Sequence, residues 1–249
     1  MRDEVQGGVL PVLELTLEDG ETAVAEVGEL SWMSDAVQMA TGTGGGGGGG
    51  LMGALKRVAG GGTLLFNTFT AQGGVGLVAF AAKLPGVIMP VDLTPGHDYL
   101  VHRRGFLAGT PGLEVSVALQ QSFRGGIFGG EGFLLQRISG SGRAWIELAG
   151  HVCDYELQAG QTLRVHPGHV GLFDASVSFQ VQRVPGLANR YLGEDGHHFV
   201  VLSGPGRVWL QTMPLPVLAG ALAPYLPTGQ ANAAAAGGIA GALGGLLNS

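Results

Sequence analysis

Charge is scarce in this chain: only 13% of its 249 residues are Asp, Glu, Lys or Arg. The net charge is −6, with 13 Lys and Arg against 19 Asp and Glu. A basic footprint for nucleic acid is therefore excluded. Cys153 is the single cysteine, which excludes an intrachain disulfide framework and fits a reducing compartment. It reads as a small core residue rather than a nucleophile. No stretch reaches the roughly 18 consecutive strongly apolar residues of a membrane-spanning helix. The apolar stretch 231–247 is built of Ala and Gly, with Asn232 interrupting it. The opening Met1-Arg2-Asp3-Glu4 is acidic where a targeting segment is basic. These absences predict a soluble cytoplasmic protein. No Ser–His–Asp or Cys–His arrangement can be placed by spacing, so the expectation is a non-enzyme without cofactor or metal.

Glycine is abundant: 47 residues, near a fifth of the chain where about 7% is usual. Such usage predicts many tight turns. The charge is also uneven. Residues 1–30 hold eight acidic side chains against Arg2 alone, which reads as a solvated acidic edge.

The glycines punctuate internal repeats, and repeats constrain the fold before any other signal. Ser139-Gly140-Ser141-Gly142-Arg143-Ala144-Trp145-Ile146-Glu147 returns as Ser203-Gly204-Pro205-Gly206-Arg207-Val208-Trp209-Leu210-Gln211. Gly73-Gly74-Val75-Gly76-Leu77-Val78-Ala79 is a looser copy. A second phrase lies between them. Leu17-Glu18-Asp19-Gly20-Glu21-Thr22-Ala23 matches Leu93–Tyr99 and Leu157–Leu163, and the match runs on to Glu26, His102 and His166. Period-2 alternation at Leu113–Ala118 and Ser176–Gln182 marks half-buried strands. Trp145 and Glu147 should face away from Ala144, Ile146 and Leu148. Many short strands with Gly turns predict an all-β sandwich, barrel or prism. Two helices are expected, at 51–58 and 214–226, the second limited by Pro224 and Pro227.

The expected organisation is one compact domain over 1–213. Its half-units cover about 9–34, 64–82, 87–118, 133–149, 151–182 and 198–211. A Gly-rich loop with a short helix occupies 40–62, and a helix with an Ala/Gly tail occupies 214–249. The first half-unit has nothing before it and the last has nothing after it. This predicts that the C-terminal hairpin Phe199–Gln211 closes a pseudo-threefold ring against Val9–Val27, since an unpaired sheet edge is a liability.

Gly44–Gly50 leading into Leu51-Met52-Gly53-Ala54-Leu55-Lys56-Arg57, then Leu64–Ala71 and Leu84-Pro85-Gly86, resembles the altered inheritance of mitochondria protein 24 family. Phe133–Glu147 resembles it too. The resemblance covers about Gly7 to Leu226. It implies a fold like that of the tryptophan RNA-binding attenuation protein, of the double-stranded β-helix type. Three tandem sandwich-like repeats with exchanged terminal strands and a homotrimer are implied as well. It implies no established activity. The mitochondrial members' membrane role is not carried over, because their targeting sequences have no counterpart here. Ligand binding by the fold's namesake is analogy alone.

Candidate sites follow. The glycine run fails the phosphate-loop pattern, because Lys56 is followed by Arg57 rather than Ser or Thr. It reads as a linker. The sharper alternative sets Leu51, Met52 and Leu55 as an apolar patch for a protein partner or membrane surface, rimmed by Lys56 and Arg57. Glu26, His102 and His166 occupy equivalent positions, which suggests either strand-end bonding or a shared ligand site. His166 with His169, and His197 with His198, lack a Cys or carboxylate at metal spacing. Arg143 and Arg207 each precede a Trp by two residues. They either stack on a ligand or neighbouring subunit or cap a sheet edge over a core Trp. The expected function is a non-enzymatic, homo-oligomeric scaffold or interaction module. The second reading is a small-molecule-binding protein with its ligand between adjacent repeats.

Overall fold

The computed structural model describes residues 1–43, 64–121, 133–183 and 198–225. Leu51, Met52, Leu55, Lys56, Arg57, His197 and the helix expected at 51–58 lie outside these residues, as does the tail beyond 225.

The described residues are predominantly β. In chain order the strands begin with β1 (Arg2–Gln6), β2 (Val12–Leu17), β3 (Thr22–Glu26), β4 (Trp32–Met33), β5 (Val37–Thr43), β6 (Leu65–Ala71) and β7 (Gly76–Ala81). Next come β8 (Gly86–Leu93), β9 (Tyr99–His102), β10 (Phe106–Gly109), β11 (Leu113–Gln121), β12 (Phe133–Gly140) and β13 (Gly142–Ala149). The last are β14 (Val152–Leu157), β15 (Thr162–Val165), β16 (Val170–Asp174), β17 (Ser178–Arg183), β18 (His198–Ser203) and β19 (Gly206–Gln211). Helix α1 (Leu215–Leu222) runs into a short 3-10 turn at Ala223–Tyr225, close to the span expected at 214–226.

The strands form four antiparallel sheets. Their orders are β1-β2-β7-β4, β5-β6-β3-β10-β13-β8, β11-β12-β9-β16-β19-β14 and β15-β18-β17. The Leu-x-x-Gly phrases are the turns β2–β3, β8–β9 and β14–β15, each carrying the chain from one sheet to another. Each places its glycine at positive φ: Gly20 at 83°, Gly96 at 87° and Gly160 at 84°. Each closes with the same backbone bond, from Glu21 to Glu18, from His97 to Thr94 and from Gln161 to Gln158.

The facing expected along β13 holds, and burial adds that both of its faces are covered. Alternation holds along β11, where Leu113 is buried and Glu114, Ser116 and Ala118 are exposed. Residues Ala144–Ala149 of β13 are all buried. The strand lies within a six-stranded sheet, and its two faces feed different cores. Trp145 packs with Leu13, Leu15, Phe69 and Phe80. Ala144, Ile146 and Leu148 face a second core with Val101, Phe106 and Leu172. A third core gathers Leu157, Val165, Phe173, Leu202 and Val208.

The expected ring closure is not observed. The expected C-terminal hairpin is instead two strands in different sheets: β18 pairs with β15 and β17, and β19 pairs with β14 and β16. Among the described residues neither strand pairs with Val9–Val27. Those N-terminal strands are already satisfied: β2 lies between β1 and β7, and β3 between β6 and β10. The two strands around each Leu-x-x-Gly turn find their partners in the strand pair that follows, so the chain needs no joining of its ends to complete the last group of strands. Cys153 is partly exposed on β14 rather than a core residue.

Candidate functional site

The densest set of ionisable side chains sits where β3, β12 and β13 meet the β7–β8 connection. Glu26 ends β3, and its Oε1 accepts a 2.5 Å hydrogen bond from Gln136 Nε2 on β12. Burial raises the Glu26 carboxyl above its ordinary range, partly offset by the Gln136 bond and reinforced by nearby Glu29. Glu29 is buried and paired with the Lys83 ammonium. Glu147 Oε1, on β13, accepts the Lys83 and Leu84 backbone N–H groups at 2.8 and 3.2 Å. Burial also raises the Glu147 carboxyl, against the pull of those two bonds. His102 donates from Nε2 to the Glu147 backbone oxygen at 3.1 Å, and burial holds its ring below the ordinary imidazole value. Glu29 Oε2 and Gln136 Oε1 are buried oxygens without a hydrogen-bond donor among the described residues.

The counterpart at the next Trp phrase is built around an amide in place of the carboxylate. Gln211 stands where the earlier phrase has Glu147. Its Oε1 accepts the Ala149 N–H at 3.0 Å, and its Nε2 donates to Gly168 O at 3.1 Å. His169 donates from Nδ1 to Gln211 O at 2.8 Å. The His166 and His169 rings stand edge-to-face, 5.9 Å apart. Both sites do the same mechanical work. A side chain near the end of a long strand grips the backbone of the connection entering its own group of strands.

Glu26 and His102 therefore bond to different neighbours, not to one another. Arg143 and Arg207 lie on β13 and β19, each the neighbour of its sheet's edge strand, and each two residues before a buried tryptophan. Arg143 pairs with Asp92 at 2.8 Å and reaches Asp3 at 3.4 Å. Arg207 pairs with Asp154 at 2.5 Å and lies 5.2 Å from the Trp209 ring centre. Trp145 donates from Nε1 to Asp3 Oδ2 at 3.1 Å. This corrects the reading of residues 1–30 as a solvated edge, since Asp3 anchors β1 to β13 and Glu29 is buried. Composition hid these roles, because Asp3 finds its partners some 140 positions away. Among the described residues, no group of three or more His, Cys, Asp or Glu side chains could hold a metal ion. No helix among them is long and apolar enough to cross a membrane.

The family model for mitochondrial biogenesis AIM24 matches residues 4–213. The chain belongs to the AIM24 family. An uncharacterised protein of Streptococcus pyogenes serotype M6 is 26% identical over 225 residues, covering 88% of each chain. The crystal structure of a Streptococcus pyogenes protein superposes with a TM-score of 0.70 at 22% identity. It covers 90% of this chain and 99% of that one. Membership bears out the resemblance carried by Leu51–Arg57, Leu64–Ala71 and Phe133–Glu147.

Proposed function

We propose that this AIM24-family chain is a non-enzymatic scaffold of three equivalent six-strand units, β2–β7, β8–β13 and β14–β19, acting through its surfaces as a homo-oligomer. The family resemblance makes a trimer the first expectation, in the cytoplasm.

The pairing pattern supports the units. First and sixth strands pair in each (β2–β7, β8–β13, β14–β19), as do third and sixth (β4–β7, β10–β13, β16–β19). Second and fifth strands pair likewise (β3–β6, β9–β12, β15–β18), and so do fourth and fifth (β5–β6, β11–β12, β17–β18). Each unit is thus two three-stranded layers around a core, a small sandwich. The observation that carries the scaffold reading is the use made of the polar groups. Glu147, Gln211, His102 and His169 are engaged in holding backbone, so they are struts rather than reagents. Carboxyl groups raised by burial also occur in structural sites.

A small-molecule reading keeps one specific support, the undonated Glu29 Oε2 and Gln136 Oε1 between the first two units. Buried oxygens of this kind are satisfied by a water or a polar ligand. Native mass spectrometry of protein taken directly from cells separates the readings. The scaffold predicts masses at whole multiples of the chain. A reproducible extra mass that disappears in Gln136→Leu would replace the scaffold reading with the ligand reading.

A further inference from the structure

The first strands of the three units are β2, β8 and β14, aligned by Leu17, Leu93 and Leu157. One edge of each pairs with the sixth strand of its own unit. The other edges differ. That of β2 carries β1, from Arg2 opposite Thr16 to Gln6 opposite Val12. Those of β8 and β14 carry no strand among the described residues, and each ends its sheet.

Backbone bonds at the strand starts fix which residues face the outer edge. Ala82 donates to Pro11 O, Gly150 to Pro85 O and Thr212 to His151 O. Bonded and non-bonded positions alternate along an antiparallel pair. Glu14, Pro90 and Asp154, which align with one another, therefore turn their backbones to the outer edge. Glu14 meets Glu4 of β1 there. Pro90 has no N–H to offer, which blunts its edge. Asp154 keeps its N–H. The chain thus fills one outer edge, blocks the second and leaves the third open.

Side chains give the open edge its chemistry. Asp154 and Glu156 alternate onto one face of β14, and both are exposed. Arg207 pairs with Asp154, so two carboxylates outnumber the one guanidinium beside them. Tyr155 alternates onto the other face with Leu157 of the third core, and it is 44% exposed. A strand laid on this edge sets its residues directly opposite these three. Such pairs share a face, where unlike charges attract and like charges destabilise.

We propose that β14 takes an extended segment of a partner protein as an added strand, with basic residues opposite Asp154 and Glu156 and an apolar one opposite Tyr155. This rests on the three-unit scaffold reading above and names the kind of partner its surface fits. Main-chain bonds like those of β1 on β2 supply the affinity, and the side-chain pairs select the segment.

The test is fluorescence anisotropy on the full chain with two labelled peptides. One has the sequence of β1, Arg-Asp-Glu-Val-Gln. The other is Arg-Val-Lys-Val-Gln, which in the β1 register sets Arg opposite Glu156, Val opposite Tyr155 and Lys opposite Asp154. The second should bind about tenfold more tightly than the first. Asp154→Pro, which reproduces the block at Pro90, should abolish binding of the basic peptide. Asp154→Lys should put the β1 peptide ahead, and that gain shows the variant is folded. The proposal is overturned if the basic peptide does not bind the wild type, if the β1 peptide binds it as tightly, or if either variant behaves as the wild type does. Failure on peptides with native masses at whole multiples of the chain removes this docking site alone. An extra mass that disappears in Gln136→Leu removes the scaffold reading on which it rests.

Discussion

Gly160, Gly96 and Gly20 make the same turn three times, and each holds a backbone conformation that costs an L-residue about 1–2 kcal/mol. A Cβ at Gly20, Gly96 or Gly160 would meet nothing within 4 Å. Alanine there would thus report backbone strain alone. We expect Gly160→Ala to lower stability by about 1–2 kcal/mol in urea unfolding, and Gly160→Asn by less, because Asn tolerates this region better. Equal losses for the two would point to a different cause. Glu26 supplies a second test. Its folded carboxyl sits above the ordinary 4.5, so the native state holds a proton that the unfolded chain releases. Stability from this group is full below about pH 4.5 and is lost as pH rises through the folded value. Glu26→Gln cannot titrate, and its amide oxygen still accepts from Gln136. Its urea midpoint should exceed that of the wild type at pH 7, and the gap should shrink as pH falls to about 4. A gap independent of pH would contradict the burial argument.

The strand-end grips set how one group of strands follows another. Glu147 satisfies two backbone donors of the connection into β8, and Gln211 satisfies one at the connection into β14. Leaving a buried donor unmet costs about 1–3 kcal/mol. Glu147→Ala should lose that amount, while Glu147→Gln, which keeps the acceptor and sheds a buried charge, should be at least as stable as the wild type at neutral pH. A large loss in the Gln variant would mean that the charge matters in its own right. The sequence phrases showed that Glu147 and Gln211 are equivalent, since each closes its Gly-x-Gly-Arg-x-Trp repeat. What they grip was not legible, because Lys83 and Leu84 carry no motif and meet Glu147 through backbone N–H groups. The two-sided burial of β13 was hidden for a related reason. Alternation at Trp145–Leu148 says which residues share a face, but not that both faces meet a core.

Across the whole molecule, the repeat phrases located all three Leu-x-x-Gly turns and both Trp strands, although the strands flanking each turn enter different sheets instead of pairing as hairpins. They misplaced the pairing, because sequence order leaves two choices: each early pair of strands can join the later pair that follows it or the one before it. The structure takes the first choice throughout. On the proposed three-unit reading, the chain is a row in which the middle unit has a neighbour on each side and the outer two have one each. Protection against exchange follows such coverage, since edges with few buried contacts open most easily. If copies join head to tail, the outer edges gain their cover by mass action, and the inner junctions do not depend on it. Amides of Trp32, Met33 and β15 should therefore exchange more slowly as protein concentration rises, while those of β10 and β16 stay constant. Parallel concentration dependence at all four strands would mean that assembly stabilises the fold globally, and no dependence at any of them would leave β4 and β15 as true free edges.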